Sequence, residues 1–152
     1  MVISSDEERY TFSSLMSLLI ECERKLQQYY EKVSITTVNP QVASMLADYA
    51  KKTSQNVELM QKARVETIVE MALEPITDLK LAELVKSISS GLEVGKAGYV
   101  QGLVTIEGAV SQLYSQASPK VANMSAETSE LLMRLSRESV ERVHELELSL
   151  TH

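Results

Sequence analysis

Only three prolines, Pro40, Pro75 and Pro119, stand in 152 residues. Between them apolar residues recur at the three- and four-residue intervals of amphipathic helices, not at the alternation of strands. A proline lacks an amide donor and clashes with the preceding turn, so these positions mark where helices stop or start. Glycine occurs five times, and Leu, Glu, Ala, Lys, Met and Gln are plentiful, which favours helix in the intervals. The chain is thereby restricted to a few long helices.

Helix A is expected from about Asp6, its cap, to Val33, ahead of the β-branched "SITTVNP". Helix B begins at Pro40, whose fixed φ suits a first turn, with Asn39 as cap, and runs to about Ala72. After "EPITD" a shorter helix capped by Asp78 covers "LKLAELVKSIS" and stops near Gly91. Helix C takes roughly Leu92 to Ala117, and helix D follows a Ser125 cap to about Leu150. The expected fold class is all-α, an antiparallel four-helix bundle of two hairpins, about 6–72 and 92–150. A long crossover, about 73–91, joins them and contains the short helix. Nothing resembling a linker divides residues 1–152, so one domain is expected.

Charge and cysteine content narrow the function classes. The balance of 15 Lys and Arg against 21 Asp and Glu, net −6, argues against a general electrostatic grip on nucleic acid or anionic lipid. No apolar run approaches a membrane span of roughly 18 residues. One cysteine, Cys22, excludes an intrachain disulfide framework, and "MVISSDEERYTF" has no basic start or apolar run of a signal peptide, so a cytoplasmic location is expected.

The chain also repeats itself. "LIECERKLQQYYEKVS" in helix A aligns without gaps on "LVTIEGAVSQLYSQAS" in helix C, pairing Glu23 with Glu107 and Tyr30 with Tyr114 at an offset of 84 residues. Helices B and D match at an offset of 89, pairing Leu46 with Leu135, Ala50 with Ser139 and Glu58 with Glu147. A Glu followed two turns later by Tyr, in two helices of a repeated hairpin pair, resembles the ferritin-like superfamily and especially its small rubrerythrin-like bundles. That resemblance implies a bundle built around two metal ions, with a Glu from helices A and C and a Glu-x-x-His pair from helices B and D.

Helical phase tests that implication residue by residue. Each residue turns a helix by about 100°. Glu23 lies about 60° from the centre of the apolar face of helix A, and Glu107 takes the same offset on helix C. Both carboxylates can point inward, with Tyr30 and Tyr114 beside them as hydrogen-bond donors. On helix D the conspicuous Glu141-x-x-His144 of "ERVHEL" falls about 170° and 130° from the centre of the apolar face, and so points outward. The inward positions are Ser136, Ser139 and Val143, with Arg142 on the flank. The family pattern Leu-Ala-x-x-Glu-x-x-His then puts Ser139 at the Glu and Arg142 at the His of helix D. On helix B "LADYAKKT" puts Ala50 at the Glu and Thr53 at the His, while Thr53 and Asn56 face the core.

Two inward carboxylates without an inward histidine are too few for a dedicated metal site. The expectation is a degenerate di-metal site formed by Glu23, Tyr30, Thr53, Glu107, Tyr114, Ser139 and Arg142, in which Arg142 reaches Glu107 or Glu23 and neutralises it. No cofactor is expected. The alternative is a rubrerythrin-like metal-binding protein or oxidoreductase using iron or manganese, with Glu23 and Glu107 as ligands and Glu141 and His144 added only under another register of helix D. A third reading is an unrelated helical protein for protein–protein contact.

Other motifs carry less. "SSGLEVGKAGY" lacks the Walker spacing and follows no strand, so its glycines mark a helix end and close packing. Cys22 lies on the core side as a small hydrophobe, and Met45, Met60, Met71, Met124 and Met133 are read as core filler. His152 is expected to be disordered at the terminus. The functional expectation is a non-catalytic structural, binding or assembly module, a homo-oligomer associating through outward Leu18 and Val104.

Overall fold

Local chemistry sets where each helix begins. In the computed structural model, which describes residues 8–67, 70–94 and 99–150, α1 spans Phe12–Thr36. It starts at a reciprocal capping box: Thr11 Oγ1 accepts the Ser14 amide at 3.0 Å, and Ser14 Oγ accepts the Thr11 amide at 2.9 Å. Asp6, the expected cap, lies outside the described residues. The chain just ahead of the box is a short strand, β1 (Glu8–Tyr10), that no helical period signalled. Helix α2 (Pro40–Glu66) begins as expected, with Asn39 Oδ1 accepting the amides of Gln41 and Val42 at 3.0 and 3.2 Å and Pro40 at its start.

α2 ends at Glu66 rather than near Ala72. The Thr67 hydroxyl turns back onto the Ala63 carbonyl at 2.8 Å, and a 3-10 turn follows at Glu70–Leu73. The crossover then forms β2 (Ile76–Leu79), which pairs antiparallel with β1, Glu8 opposite Leu79 and Tyr10 opposite Ile76. β2 has one more residue than β1 between these pairs, and Asp78 absorbs the bulge at φ 61°, a conformation Asp tolerates better than most side chains. Asp78 is therefore a strand residue, not the helix cap expected of it.

The next helix, α3 (Ala82–Val94), takes its N-terminal partner from the other strand. Glu8 Oε1 accepts the Leu81 amide at 2.9 Å and Oε2 the Ala82 amide at 3.1 Å, so β1 pins the crossover to the start of α1. Gly91 does not end α3. It sits inside, where an added Cβ would meet Ile106 side-chain atoms at 2.9 Å, so glycine permits the close approach of α3 to α4. Residues 95–98 of the glycine-containing stretch lie outside the described residues.

Helix α4 (Tyr99–Val121) begins later than Leu92, which belongs to α3, and carries Pro119 in its last turn. Helix α5 (Ala126–Leu150) is capped by Ser125, whose Oγ accepts the Thr128 amide at 3.1 Å. Two serine pairs tie α4 to α5. Ser118 and Ser129 exchange hydroxyl-to-carbonyl bonds of 2.7 and 2.8 Å, and seven residues earlier in α4 and later in α5 Ser136 Oγ donates to the Ser111 carbonyl at 2.9 Å. Small side chains here let the two backbones approach closely.

The helices form a bundle of two hairpins: α1 packs along α2 and α4 along α5, while α3 lies across α4 and α1. Leu15, Leu19, Leu26, Leu46, Leu103 and Leu135 are among the fully buried side chains that fill it. Of the methionines, Met60 is buried and Met45 and Met124 pack against the core, but Met133 is exposed; the Met71 side chain lies outside the described residues. Leu18 and Val104, expected outside, are half-buried against the core. Among the described residues no helix is long and apolar enough to cross a membrane.

Candidate functional site

Where the two hairpins meet, α1 and α4 run antiparallel and bring their repeated residues face to face. Glu23 is 1% exposed and Glu107 fully buried, as are Tyr30 and Tyr114. The tyrosine of one hairpin addresses the carboxylate of the other. Tyr114 Oη donates to Glu23 Oε1 at 2.6 Å, while Tyr30 Oη meets Glu107 only in a poorly aligned contact, near enough for the carboxylate to raise the phenol and for the phenol to help hold the carboxylate down.

The second helix of each hairpin completes its half. From α2, Asn56 Nδ2 donates to Glu23 Oε2 at 2.9 Å and to Glu138 Oε1 of α5 at 3.2 Å, leaving Asn56 Oδ1 unpaired. From α5, Arg142 Nε donates to Glu107 Oε2, and Nη2 reaches Glu107 Oε1 at 3.5 Å and Ser139 Oγ at 3.2 Å. The guanidinium also lies 5.7 Å from the centroid of the Tyr49 ring, which meets Tyr30 edge to face at 5.4 Å. Tyr49 donates in turn to Glu145 at 2.9 Å. Thr53 is fully buried, but its hydroxyl is committed to its own helix, donating to the carbonyls of Tyr49 and Ala50 at 2.8 and 3.0 Å.

This arrangement corrects the register assigned to α2. The residue that meets Glu23 is Asn56, as Arg142 meets Glu107, and the fully buried residues three positions earlier are Thr53 and Ser139. The α2–α5 correspondence is therefore shifted by three residues. Ala50, assigned to the carboxylate position, is buried in the apolar core instead. Near-identical small residues on successive turns leave the sequence unable to choose between the two registers.

The electrostatics follow from two buried carboxylates and one buried cation, with Glu138 adding a further negative charge near Glu23. Burial raises Glu23 above its ordinary value, against the pull of Arg142, Tyr114 and Asn56. Burial pushes Glu107 up to about 7, with Arg142 holding it back. Burial opposes the charge on Arg142, but Glu107 outweighs it and raises the guanidinium further, so Arg142 stays protonated.

The donor set does not suit a metal ion. Asn56 turns its amide hydrogens toward Glu23, where a cation needs a lone pair, the Thr53 hydroxyl proton is spent on backbone, and Arg142 brings a fixed positive charge. Among the described residues there is no group of three or more His, Cys, Asp or Glu placed to hold a metal. Glu141 and His144 are both exposed on the outer side of α5. Glu141 helps line a surface cleft of about 300 Å³ that ends on Arg142, with Tyr49, Lys52, Glu138 and Glu145 as the other walls. Cys22 is buried, and burial pushes its thiol up to about 11, as befits a small hydrophobe.

Tyr49 and Glu138 are the members that sequence reading missed. Tyr49 stands four residues before Thr53 and seven before Asn56, the spacing of one helix face, and that signal was available. Glu138 gave none, because its role depends on where α2 lies. No protein-family model, curated protein or solved structure significantly matches this chain.

Proposed function

We propose that this chain is a ferritin-like bundle in which a polar core has taken the place of a di-metal centre, and that it serves as a non-catalytic structural, binding or assembly module. The observation that carries this reading is the buried pair of Arg142 and Glu107, a fixed cation at the position where the resemblance gives a histidine. Support comes from the antiparallel crossing of α1 and α4, which sets Glu23 and Glu107 as a related pair, and from Thr53, Asn56 and Ser139 at the remaining ligand positions. A rubrerythrin-like metal-binding protein or oxidoreductase would need four further donors where these residues and Arg142 stand.

Two measurements test the reading. Elemental analysis of the natural protein, purified without added metal, is expected to find no stoichiometric iron or manganese, and finding either would overturn it. The variant Thr53→Glu/Asn56→His/Ser139→Glu/Arg142→His rebuilds the ligand set in the register the structure gives. It is expected to bind divalent cobalt or manganese with a spectroscopic signature; a folded variant that binds neither counts against the ferritin-like assignment.

A further inference from the structure

The helices are not anchored alike. The four long ones carry rows of fully buried side chains, whereas among the described residues of α3 only Ile88 is fully buried, with Leu84, Val85 and Leu92 half-covered. The sequence of α3 is also a poor helix former, with Ser87, Ser89, Ser90 and Gly91 in 13 residues, a length that is marginal for an isolated helix. Its start has no acceptor of its own. Leu81 holds the capping position, its carbonyl taking the Val85 amide at 2.9 Å, and its apolar side chain cannot accept the free amides. Glu8 accepts the Leu81 and Ala82 amides instead, from 73 residues away, and Tyr10 donates to the same carboxylate.

The contacts of α3 define what it covers. Ser89 accepts Lys25 Nζ at 3.4 Å, and Leu92 and Glu93 share a cleft of about 270 Å³ with Gln28, Tyr29 and Lys32, so α3 runs parallel to α1. One turn back, residues 85–88 come beside Glu21 and Cys22, and Cys22 lies on the same stripe of α1 as Lys25 and Tyr29. On its other side Gly91 of α3 lies against Ile106. Cys22 and Ile106 immediately precede Glu23 and Glu107. α3 therefore closes the α1–α4 side of the buried site.

We infer that α3 is a lid, latched by Glu8, which opens by unfolding while the four long helices stay packed and so uncovers the flanks of α1 and α4 that carry Cys22 and Ile106. A segment with few buried anchors, weak helix formers and a borrowed cap is the kind that opens locally, below the free energy of global unfolding. The latch is a single carboxylate, so one side chain sets how often the lid opens. This inference does not depend on how the interior site is read.

Cys22 is the chain's one cysteine and is buried, so its reaction with dithiobis(nitrobenzoate) reports the opening in the natural protein. The labelling rate is expected to be much slower than in the urea-unfolded chain and nearly independent of urea below the unfolding transition, because opening the lid exposes little surface. Glu8→Ala, which leaves two helix-terminal amides without their charged acceptor, should speed labelling about tenfold. Ser87→Ala/Ser90→Ala, at two exposed positions, raises helix propensity and should slow it about fivefold. Labelling that rises with urea along the full slope of global unfolding overturns the lid, as does Cys22 reacting at the rate of the unfolded chain. An unchanged rate in Glu8→Ala overturns the latch, and an unchanged rate in the double serine variant overturns unfolding of α3 as the opening step.

Discussion

The two halves of the buried site hold the same carboxylate in different ways. Glu107 is answered by a cation, the Arg142 guanidinium, and its facing tyrosine, Tyr30, meets it only in a poorly aligned contact. Glu23 is answered by neutral donors, the Tyr114 hydroxyl and the Asn56 amide, and the nearest cation belongs to the other half. The halves come from related helices, so the difference lies in one residue of each partner helix, Asn56 against Arg142. A buried carboxylate needs donors, but whether they carry charge decides how much of the site depends on a single residue. The Arg142 half should be brittle and the Asn56 half tolerant.

The largest expected break is Arg142→Ala. It leaves Glu107 buried without its cation and should cost about 3–5 kcal/mol in urea unfolding. The double variant Arg142→Met/Glu107→Leu, which removes both charges and keeps apolar volume, should regain most of that loss. If Arg142→Ala unfolds like the natural protein, the pair is not what holds Glu107 inside.

Both halves predict the same unusual pH dependence. Glu107 rises from an ordinary 4.5 to about 7, and burial raises Glu23 as well. Between those values the folded state binds more protons than the unfolded state. The contribution of Glu107 is thus complete below about pH 4.5 and lost as pH rises through about 7, and that of Glu23 is lost in the same direction. Unfolding free energy should fall between pH 5 and pH 8, on the order of 2 kcal/mol. Glu23→Gln should remove the part of the slope due to its half and leave the rest. A flat or rising profile would remove the case for two buried carboxylates sharing one guanidinium.

The sharpest contrast between the halves lies in their tyrosines. Tyr114→Phe removes a donor to a buried carboxylate and should cost about 1.5–3 kcal/mol. Tyr30→Phe removes a hydroxyl only poorly aligned on Glu107 and should cost less, under about 1 kcal/mol. Equal effects would mean that the two halves are bonded alike. The smallest effect is expected from His144→Ala, within about 0.5 kcal/mol and without change in any metal content, because His144 stands exposed outside the site.

Much of this arrangement was legible in the residues. Periodicity placed five helices, and Asn39 and Pro40 marked the start of α2 because their chemistry is local. Helical phase turned Glu23 and Glu107 inward and Glu141 and His144 outward, since a rotation about one helix axis follows from that helix alone. Position along the axis did not follow. Placing Thr53 where Asn56 belongs is a slip of one turn, which leaves the inward face nearly unchanged and so costs the sequence argument nothing it can detect. The ribbon of β1 and β2 was illegible for a related reason: each strand has three or four residues, and Glu8 acquires its role only by reaching amides more than seventy positions away.

By itself the sequence determined that this chain forms two related helical hairpins, with two carboxylates and two tyrosines on their inner faces and few other groups able to bind a metal. Tertiary structure alone decided which donor meets which carboxylate: Tyr114 squarely on Glu23 and Tyr30 only poorly on Glu107, Asn56 with one, Arg142 with the other. Phase about an axis is a property of a single helix. The pairing of buried charges is a property of how two hairpins slide against each other, and only the packed bundle fixes that displacement.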